Sequence, residues 1–436
     1  MSRRGLAFLW LTMSLAGLAL ILALAVWLGP ADRPEADGTA NRPPGEETNG
    51  AVGDSTGTGQ ADAPQEPDTV PPPGLPGSET PAEGLLAAVG DIMMHMPQLP
   101  AYYDPDTNRY DFSPFFTEVK ALIAEADWAM ANLETTLSAD GDYSGYPRFS
   151  SPHELAAALK DAGFDIVTTA NNHALDRGVP GVMRTLEFLR AQGLVTRGTY
   201  RSPEEAAEPT IIERNAIRLG LLAYTYGTNG IPVPKDMPWL IDLIDEERIA
   251  RDIAALREAG ADYIAIALHF GTEYQTEPSK EQKRLARRLI AAGADLIAGS
   301  HPHVIQPYEI VEATDADGSV RQGVILYSMG NFISNQRGDT KEYGVLYRIR
   351  LRKEEGVTRA TDVEPVITWV HRYKAEGRNH YRILPVERVL EERNDPLLTG
   401  ADYERLANDL GAIRKRLPVP DGTQGNGTFR GTEHEG

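Results

Sequence analysis

The sequence contains no cysteine, which excludes disulfide bonds and thiolate metal sites. A bound metal ion would therefore need histidine, aspartate, glutamate or asparagine as its ligands. Positive charge is also in short supply, since 43 lysines and arginines stand against 63 aspartates and glutamates, for a formal net charge of -20. This balance argues against a nucleic-acid partner, because binding to phosphates needs clustered cations.

Two stretches have very few aromatic or branched aliphatic residues. Residues 30–83 consist largely of Pro, Gly, Thr, Asp and Glu, and residues 418–436 have a similar bias towards Gly and Thr. Such segments cannot bury enough apolar surface to offset the entropy lost on ordering. The composition predicts a disordered linker over 30–83 and a disordered tail over 418–436.

The N-terminal segment 1–29 has the opposite character. Two arginines precede an uncharged run over 5–28 that is rich in Leu and Ala. About 20 apolar residues cross a bilayer as a helix, and the positive-inside rule places the rest of such a chain outside the cytoplasm. We expect a single-pass cell-membrane anchor with an extracytoplasmic main domain. A cleaved signal peptide is the alternative, although its apolar core usually has only about 7–15 residues.

Between these segments, residues 84–417 show alternating helix and strand signals. Predicted helices stop at Gly163, Gly260 and Gly293, and each is followed by an apolar run typical of a buried strand. Ser279 and Gln282 form a capping pattern that predicts the start of one of these helices, and 113–126 is predicted as another helix. Such repeated units indicate an α/β fold with buried, largely parallel strands.

A His-x-His pair stands at the end of one such strand. His301 and His303 flank Pro302 and follow the apolar run 294–297. A stiff loop after a rigid strand can direct two imidazoles at one point, a geometry that metal ligation uses. The alternative is a surface loop with two ordinary histidines.

Other predicted strands also end in polar clusters. Five strand ends carry possible metal ligands: Asp91, Glu134, Asn172 with His173, His269, and His301 with His303. In α/β sheets, loops from several strands converge beyond the C-terminal strand ends. Each residue alone has an ordinary explanation, but together they predict a divalent metal centre, with Mn, Zn and Fe as candidates. If two ions bind, about 3.5–4 Å apart, a bridging carboxylate would hold them. His173 would then protonate a leaving oxygen.

Six motifs resemble those of the CapA family, the bacterial capsule-synthesis proteins of poly-γ-glutamate systems. They are Gly90-Asp91-Ile92-Met93, Asn132-Leu133-Glu134, Asn171-Asn172-His173-Ala174-Leu175-Asp176, His269-x-Gly271-x-Glu273-Tyr274, Gly299-Ser300-His301-Pro302-His303-Val304 and Tyr327-Ser328-x-Gly330-Asn331-Phe332. The resemblance covers about 85–334. CapA-like domains are in turn similar to calcineurin-like metallophosphoesterases, which implies a four-layer αββα sandwich with a metal site at the strand ends.

The resemblance also implies roles for individual residues. Its implied metal ligands are Asp91, Glu134 as the bridging carboxylate, Asn172, His269, His301 and His303. His173 would be the catalytic proton donor. Glu273, Ser328 and Asn331 are expected to line the pocket, with hydrogen bonding around the site or turn formation as the alternative.

Two positions depart from the phosphoesterase pattern. Met93 stands where that pattern has a histidine, with His95 two residues further on. Asn132-Leu133-Glu134 replaces a Gly-Asp motif, so the bridging carboxylate has a longer side chain. Both departures bear on whether the centre holds two ions and whether the protein acts as an ordinary phosphatase.

The resemblance implies a part in the synthesis, export or attachment of poly-γ-glutamate or a similar anionic cell-surface polymer. The expected partners are that polymer and membrane-embedded subunits for its synthesis or export. One hypothesis is a metal-dependent hydrolase of metallophosphoesterase type that cleaves an ester or amide bond. The competing hypothesis is a non-catalytic accessory that binds polymer or partner subunits, with a structural or vestigial metal site.

Overall fold

The computed structural model describes residues 81–315 and 318–417. The predicted segments 1–29 and 418–436, and most of the predicted linker 30–83, lie outside these residues. Within the described ranges, no helix has the length and hydrophobicity needed to cross a membrane. That finding does not support the predicted single-pass membrane location or the transmembrane helix in the predicted fold class, and both are withdrawn. The run 5–28 on which they rested is not among the described residues.

The strands follow one another along the chain. Their bounds are β1 Ala82–Ile92, β2 Tyr103–Asp104, β3 Arg109–Tyr110, β4 Trp128–Leu133, β5 Leu137–Ser138, β6 Ser151–Pro152, β7 Ile166–Thr168, β8 Val195–Arg197, β9 Thr210–Arg214, β10 Ile217–Thr225, β11 Tyr263–His269, β12 Leu296–Ser300, β13 Tyr308–Thr314, β14 Val320–Leu326, β15 Asn331–Ile333, β16 Tyr343–Glu354, β17 Val357–Ala375 and β18 Arg378–Pro385.

The α-helices lie between and after these strands. Their bounds are α1 Lys120–Ala124, α2 Glu154–Ala162, α3 Gly178–Ala191, α4 Pro203–Ala207, α5 Glu246–Glu258, α6 Lys280–Ala291, α7 Val386–Glu392 and α8 Gly400–Arg414. The prediction of one helix over 113–126 was wrong. A 3-10 turn over Ser113–Phe115, with Pro114 at its start, precedes the short α1 instead.

Two large mixed sheets form the body of the described chain. The larger has the order β18-β17-β16-β1-β4-β7-β8, with β15 pairing beside the end of β1. The smaller has the order β13-β14-β12-β11-β10-β9. The strands β1, β4, β7 and β8 are parallel, as are β10, β11, β12 and β14. Each sheet thus has a parallel part, as predicted, with antiparallel strands added at its edges.

The packing places the sheets between helices. Leu86 and Ala88 of β1 join a cluster that includes Leu221 and Ala265 of the smaller sheet, so these two faces pack together. The opposite face of β1 packs on a cluster with α2 and α3, and the opposite face of the smaller sheet packs on α5 and α6. The layer order is therefore helix, sheet, sheet, helix, which agrees with the predicted αββα arrangement. Strands covered on both faces explain the near-continuous apolar runs in the sequence.

Candidate metal centre

The candidate site lies where parallel strands of both sheets end. Asp91 is the penultimate residue of β1, Glu134 directly follows β4, and His269 is the last residue of β11. His301 and His303 follow β12, and Asn172 with His173 follows β7. All seven side chains are buried. The structure therefore brings together the seven residues predicted as ligands and proton donor, from strand ends in two different sheets.

Close approach of the backbone at two glycines shapes the floor of this site. A Cβ atom added to Gly90 would lie 1.9 Å from the carbonyl oxygen of Gly330. One added to Gly299 would lie 2.2 Å from the carbonyl oxygen of Tyr327. Since real Cβ atoms do not approach that closely, no larger residue fits at either position without displacing the backbone that carries Asp91 or His301.

Asp91 connects the two sheets at the centre of the site. Its Oδ2 lies 3.0 Å from Nδ1 of His303, and its Oδ1 accepts a hydrogen bond from Nδ2 of Asn132 at 2.8 Å. Both contacts hold the carboxylate at the strand end. On the smaller-sheet side, Nε2 of His269 lies 2.8 Å from Oδ1 of Asn172, and its Nδ1 lies 2.9 Å from Oγ of Ser300.

Glu134 is the most unusual group in the site. Its side chain is 0% exposed, and neither carboxylate oxygen has a hydrogen-bond partner among the described residues. Oε1 lies 3.7 Å from Nε2 of His269 and 3.7 Å from Nε2 of His303. Burial raises the pKa of Glu134 well above its usual range, and the carboxylates of Asp91 and the more distant Glu273 add to this shift. A carboxylate so placed lacks a compensating positive charge.

The histidines are shifted in the opposite direction. Burial lowers the pKa of His269 well below its usual value, with further lowering by His301 and His303. Burial also lowers the pKa of His301 to about 4, and its Nδ1 is buried with no hydrogen-bond partner in the part of the chain that the structure describes. Both imidazoles are therefore neutral near pH 7, which is the form that binds metal ions.

These side chains fit a divalent cation. One atom each from Glu134, His301 and His303 lies within 4.8 Å of the others, and so does one atom each from Asp91, Glu134 and His269. Glu134 belongs to both groups, as a bridging carboxylate would. Asp91, Glu134, His269, His301 and His303 are the residues that would hold such an ion. An ion would supply the charge that Glu134 lacks and the partner that His301 lacks.

His173 lies at the edge of this group. Its Nε2 is 4.0 Å from Oε1 of Glu134, and its Nδ1 is 2.7 Å from Oδ2 of Asp176. The ring packs edge-on against Phe149 with 4.6 Å between centroids. Backbone N–H of Phe149 also donates to Oδ2 of Asp176. The ring is thus fixed so that Nε2 faces the candidate metal ligands.

The loop after β12 has an uncommon backbone. His301 has φ 100° and His303 has φ 59°, in the region that favours glycine. Oγ of Ser328 donates to the carbonyl oxygen of Val304 at 2.7 Å and holds the end of this loop. Strained residues of this kind persist only where surrounding contacts enforce them. In this conformation Nδ1 of His303 faces Asp91, and one ring nitrogen each of His301 and His303 lies within 4.8 Å of a carboxylate oxygen of Glu134.

Three further residues had been predicted to line the pocket. Ser328 holds the end of the loop that carries His301 and His303, through its hydrogen bond to the carbonyl oxygen of Val304. Asn331 pairs with Asp91 along the backbone, and its Nδ2 donates to Gln336 and to the carbonyl oxygen of Lys341, while its Oδ1 is buried with no partner among the described residues. Glu273 is exposed, and its charge raises the pKa values of both Glu134 and Tyr274. It therefore lies near the entrance to the site.

His95 lies beside the site but outside both ligand groups. Its Nδ1 accepts a hydrogen bond from the backbone of Asn335 at 3.3 Å, and its ring packs on Phe149 at 5.2 Å. Burial lowers the pKa of His95 to about 4, and the neighbouring His303 and His173 contribute to the shift. The phosphoesterase pattern has a histidine where this chain has Met93. His95 does not take the place of that histidine in either of the two ligand groups.

Sequence reasoning had assigned no role to several residues of the site. These are Asn132, Phe149, Asn171, Asp176, Tyr226, Asn229, Tyr274 and Ser300. The i, i+3 spacing of His173 and Asp176 was a usable signal, because both fall within one turn. Tyr226 and Asn229 follow the end of β10, a strand end that the prediction had left out.

Two tyrosines flank the entrance. The ring of Tyr226 lies 4.6 Å from that of His301, and the ring of Tyr274 lies 6.0 Å from that of His303. Tyr226 is 48% exposed and Tyr274 is 45% exposed. Half-exposed aromatic rings beside a buried polar cluster are suited to contact a bound substrate.

Comparison with known protein families gives a match over most of the described region. Residues 85–336 match the family model described as "Bacterial capsule synthesis protein PGA_cap". The chain is 27% identical over 293 residues to the capsule biosynthesis protein CapA of Bacillus anthracis, covering 64% of this chain and 66% of that protein. It is 29% identical over 285 residues to the PGA biosynthesis protein CapA of Bacillus subtilis, covering 64% of this chain and 71% of that protein. The matches thus span about two thirds of these relatives.

Solved structures that align with this chain include phosphoesterases. The calcineurin-like phosphoesterase YfkN from Bacillus subtilis aligns with a TM-score of 0.38 and 14% identity, covering 77% of this chain and 100% of that chain. The NAD nucleotidase from Haemophilus influenzae aligns with a TM-score of 0.43 and 11% identity, covering 79% of this chain and 58% of that chain.

Proposed function

Because this chain belongs to the bacterial capsule synthesis protein family PGA_cap, we propose that it takes part in making an anionic polymer of the poly-γ-glutamate type, as a metal-dependent hydrolase. Its substrate would carry the ester or amide bond that is cleaved. The names of the Bacillus relatives support the polymer, and the buried polar cluster supports the hydrolase. The polymer and the subunits that synthesise or export it are the proposed partners.

The isolation of the Glu134 carboxylate carries this proposal. A fully buried carboxylate without a hydrogen-bond partner is costly unless a cation balances it. Asp91, Asn172, His269, His301 and His303 offer the nitrogen and oxygen donors that Mn, Zn or Fe ions accept. When bound, such an ion would polarise the substrate and lower the pKa of a water molecule.

The chain's own residues would supply the other elements of catalysis. Asp176 fixes the orientation of the His173 ring through the 2.7 Å contact to Nδ1. If Nδ1 holds a proton towards Asp176, a second proton on Nε2 can pass to the leaving oxygen or nitrogen. The Asp176 carboxylate would stabilise the charged imidazole before that transfer. Tyr226 and Tyr274 would hold the substrate at the entrance.

A specific observation favours a second function. The chain is also 27% identical over 226 residues to a probable polyglutamine synthesis accessory protein of Mycobacterium tuberculosis, covering 49% of this chain and 57% of that protein. Met93 also stands where the phosphoesterase pattern has a histidine. A non-catalytic accessory with a structural metal ion is therefore the competing function.

One experiment separates the two functions. The purified full chain is loaded with Mn, Zn or Fe, its metal content is measured, and turnover is tested on phosphomonoester, phosphodiester and γ-glutamyl substrates. We expect bound metal and turnover on one class. His301→Ala should lose metal, whereas His173→Ala should keep metal and lose turnover.

The matched control is His153→Ala, because His153 is a half-buried histidine at the start of α2 and outside the site. It should keep both metal and turnover. Bound metal without turnover on any substrate class would favour the accessory function. Absence of bound metal after loading with all three ions would overturn the metal centre itself.

A further inference from the structure

Two arginines share one set of contacts beside the metal centre. Nη1 of Arg372 donates to Oδ1 of Asn335 at 3.2 Å, and the hydroxyl of Tyr381 donates to the same oxygen at 2.7 Å. The guanidinium of Arg337 lies over the ring of Tyr381, 5.6 Å from its centroid. Asn335 and Tyr381 thus hold both guanidinium groups in one place.

Within the described part of the chain, neither arginine has an acidic partner at ion-pair distance. Arg337 Nη1 donates to the neighbouring carbonyl oxygen of Gln336, while its Nη2 is buried and has no acceptor among the same residues. Burial and the charge of Arg372 lower the pKa of Arg337 to about 10. By contrast, Arg177 and Arg184 on the other side of the site face Asp142 and Asp140. In a chain with a net charge of -20, two neighbouring arginines without an ion-pair partner in the described residues stand out, although the Glu342 carboxylate acts on Arg337 at longer range.

The segment that carries Arg337 contacts residues beside the metal centre at two points. The backbone N–H of Asn335 donates to Nδ1 of His95, and the charges of His303, His173 and Arg337 all act on that imidazole. On the other side, Nζ of Lys341 lies 5.0 Å from the centroid of Tyr274, the tyrosine that flanks His303. The segment from 335 to 341 therefore brings Arg337 and Lys341 to the edge of the site, although Nζ of Lys341 is paired with Oδ2 of Asp339 at 3.2 Å.

We propose that Arg337 and Arg372 form an oxyanion-binding subsite beside the metal centre, with Lys341 at its margin. The ligand would be a carboxylate or phosphate that the substrate carries next to the bond that is cleaved. Guanidinium groups bind both anions through paired N–H donors, and a ligand oxygen would provide the acceptor that Arg337 Nη2 lacks. Local positive charge would also offset the repulsion between an acidic protein and an anionic polymer. The subsite specifies that the substrate of the proposed function is anionic, and this inference rests on that proposed function.

The test measures binding rather than turnover. The full chain is titrated in a calorimeter with a γ-linked glutamate tetramer, with the same tetramer bearing α-carboxamides, and with inorganic phosphate. We expect the acid form to bind about tenfold more tightly than the amide form, because the amide lacks the charge. Arg337→Gln with Arg372→Gln should weaken binding of the acid form about tenfold and abolish this difference.

The matched control is Arg359→Gln, an exposed arginine near the other end of β17 that should bind as the parent does. Should the double variant fail to fold, Arg372→Gln alone serves, since Arg372 is exposed. Loss of phosphate binding in the variants, with the two tetramers binding equally to the parent, would assign the subsite to phosphate. Unchanged binding of both anions in the variants would overturn the subsite.

Metal content, measured on the same samples, distinguishes this inference from the proposed function. A parent protein that holds no metal but still discriminates acid from amide would overturn the hydrolase and support the subsite. A parent that holds metal and turns over substrate, but whose binding does not depend on the two arginines, would support the hydrolase and overturn the subsite.

Discussion

The Nδ1 atom of His173 lies 2.7 Å from a carboxylate oxygen of Asp176, and both side chains are buried. Asp176 also accepts the backbone N–H of Phe149, so its carboxylate is fixed on two sides. A histidine held in this way has one defined orientation, with Nε2 directed towards Glu134. The contact therefore couples the orientation of the proposed proton donor to a residue that does not touch the metal ligands.

Replacement of Asp176 by Asn should lower kcat more than it raises KM. The amide keeps the shape but can turn its NH2 group towards Nδ1, so the ring loses the acceptor that fixes its orientation, and we expect a loss of about 10- to 100-fold in kcat/KM. Metal content should stay near that of the parent. Steady-state kinetics on the substrate class that the parent cleaves measures the effect. Full activity in the variant would show that Asp176 has no part in positioning His173.

Addition of metal should stabilise the protein, whereas Glu134→Gln should stabilise the metal-free form. An ion at 100 times its Kd adds about 2.7 kcal/mol to the free energy of unfolding. Because burial raises the pKa of Glu134 in the folded state, its ionisation costs stability as the pH rises above the usual value near 4.5. At pH 8 with EDTA, Glu134→Gln should therefore exceed the parent in stability.

The same variant should gain nothing from metal, because the glutamine amide cannot replace a bridging carboxylate. Thermal unfolding with and without Mn, Zn or Fe measures both effects. His153→Ala serves again as the control, and metal should raise its stability by as much as it raises that of the parent. A Glu134→Gln variant less stable than the metal-free parent at pH 8 would contradict the explanation given for the isolated carboxylate.

Acid should destabilise the metal-free protein partly through His371, a buried histidine remote from the metal ligands. Burial and Arg382, which donates to its Nδ1 at 3.1 Å, lower the pKa of His371 to about 4. Its pKa is about 6.5 in the unfolded chain, which therefore takes up a proton between pH 6.5 and 4 while the folded protein does not. Stability is lost as the pH falls through this window, by at most about 1.4 kcal/mol per pH unit for one proton.

His371→Gln should accept the same hydrogen bond without titrating, so its stability should fall less steeply between pH 6.5 and 4. Urea unfolding with EDTA at several pH values measures this slope. His95 and His301 also have pKa values lowered to about 4, but both remain in the variant, so the difference between the slopes isolates His371. Equal slopes for parent and variant would contradict the lowered pKa.

Gly299→Ala should destabilise the protein by about 3 kcal/mol or more and impair metal binding. The new methyl group would meet the carbonyl oxygens of Tyr327 at 2.2 Å and of Leu326 at 2.5 Å. Gly411→Ala is the matched control, because Gly411 lies inside α8 with no atom within 4 Å of its would-be Cβ. It should stabilise by about 0.5–1 kcal/mol. Denaturant unfolding of both variants tests the steric argument.

Periodicity in the sequence was sufficient to predict much of the fold. The Ser279 capping pattern is present as predicted, since Ser279 and Gln282 cap α6 reciprocally. Gly163 ends α2 with φ 104°, as its position after an amphipathic run indicated. Signals of this kind succeed because they depend on neighbouring residues only. The helix predicted over 113–126 failed at its first turns, where a 3-10 turn with Pro114 at its start spans Ser113–Phe115 and α1 begins only at Lys120.

The site was only partly predictable for a related reason. A residue at the C-terminal end of a parallel strand can be identified from sequence, and that rule gave Asp91, Glu134 and His269. The hydrogen bonds that orient these groups depend on which strands are neighbours. Asn132 bonds to Asp91 because β4 pairs with β1, and Ser300 contacts His269 because β12 pairs with β11. The positive φ at His301 and His303 also had no counterpart in the pattern, since neither residue is glycine.

The contact between Asp91 and His303 joins residues 212 positions apart in the chain. During synthesis from the N-terminus, β1 emerges long before the loop that follows β12. Closure of such a long loop is entropically costly and tends to come late in folding. The complete ligand set thus forms only after both sheets have docked. Metal uptake can then contribute to the stability of the finished protein, but it cannot guide the first strands to their partners.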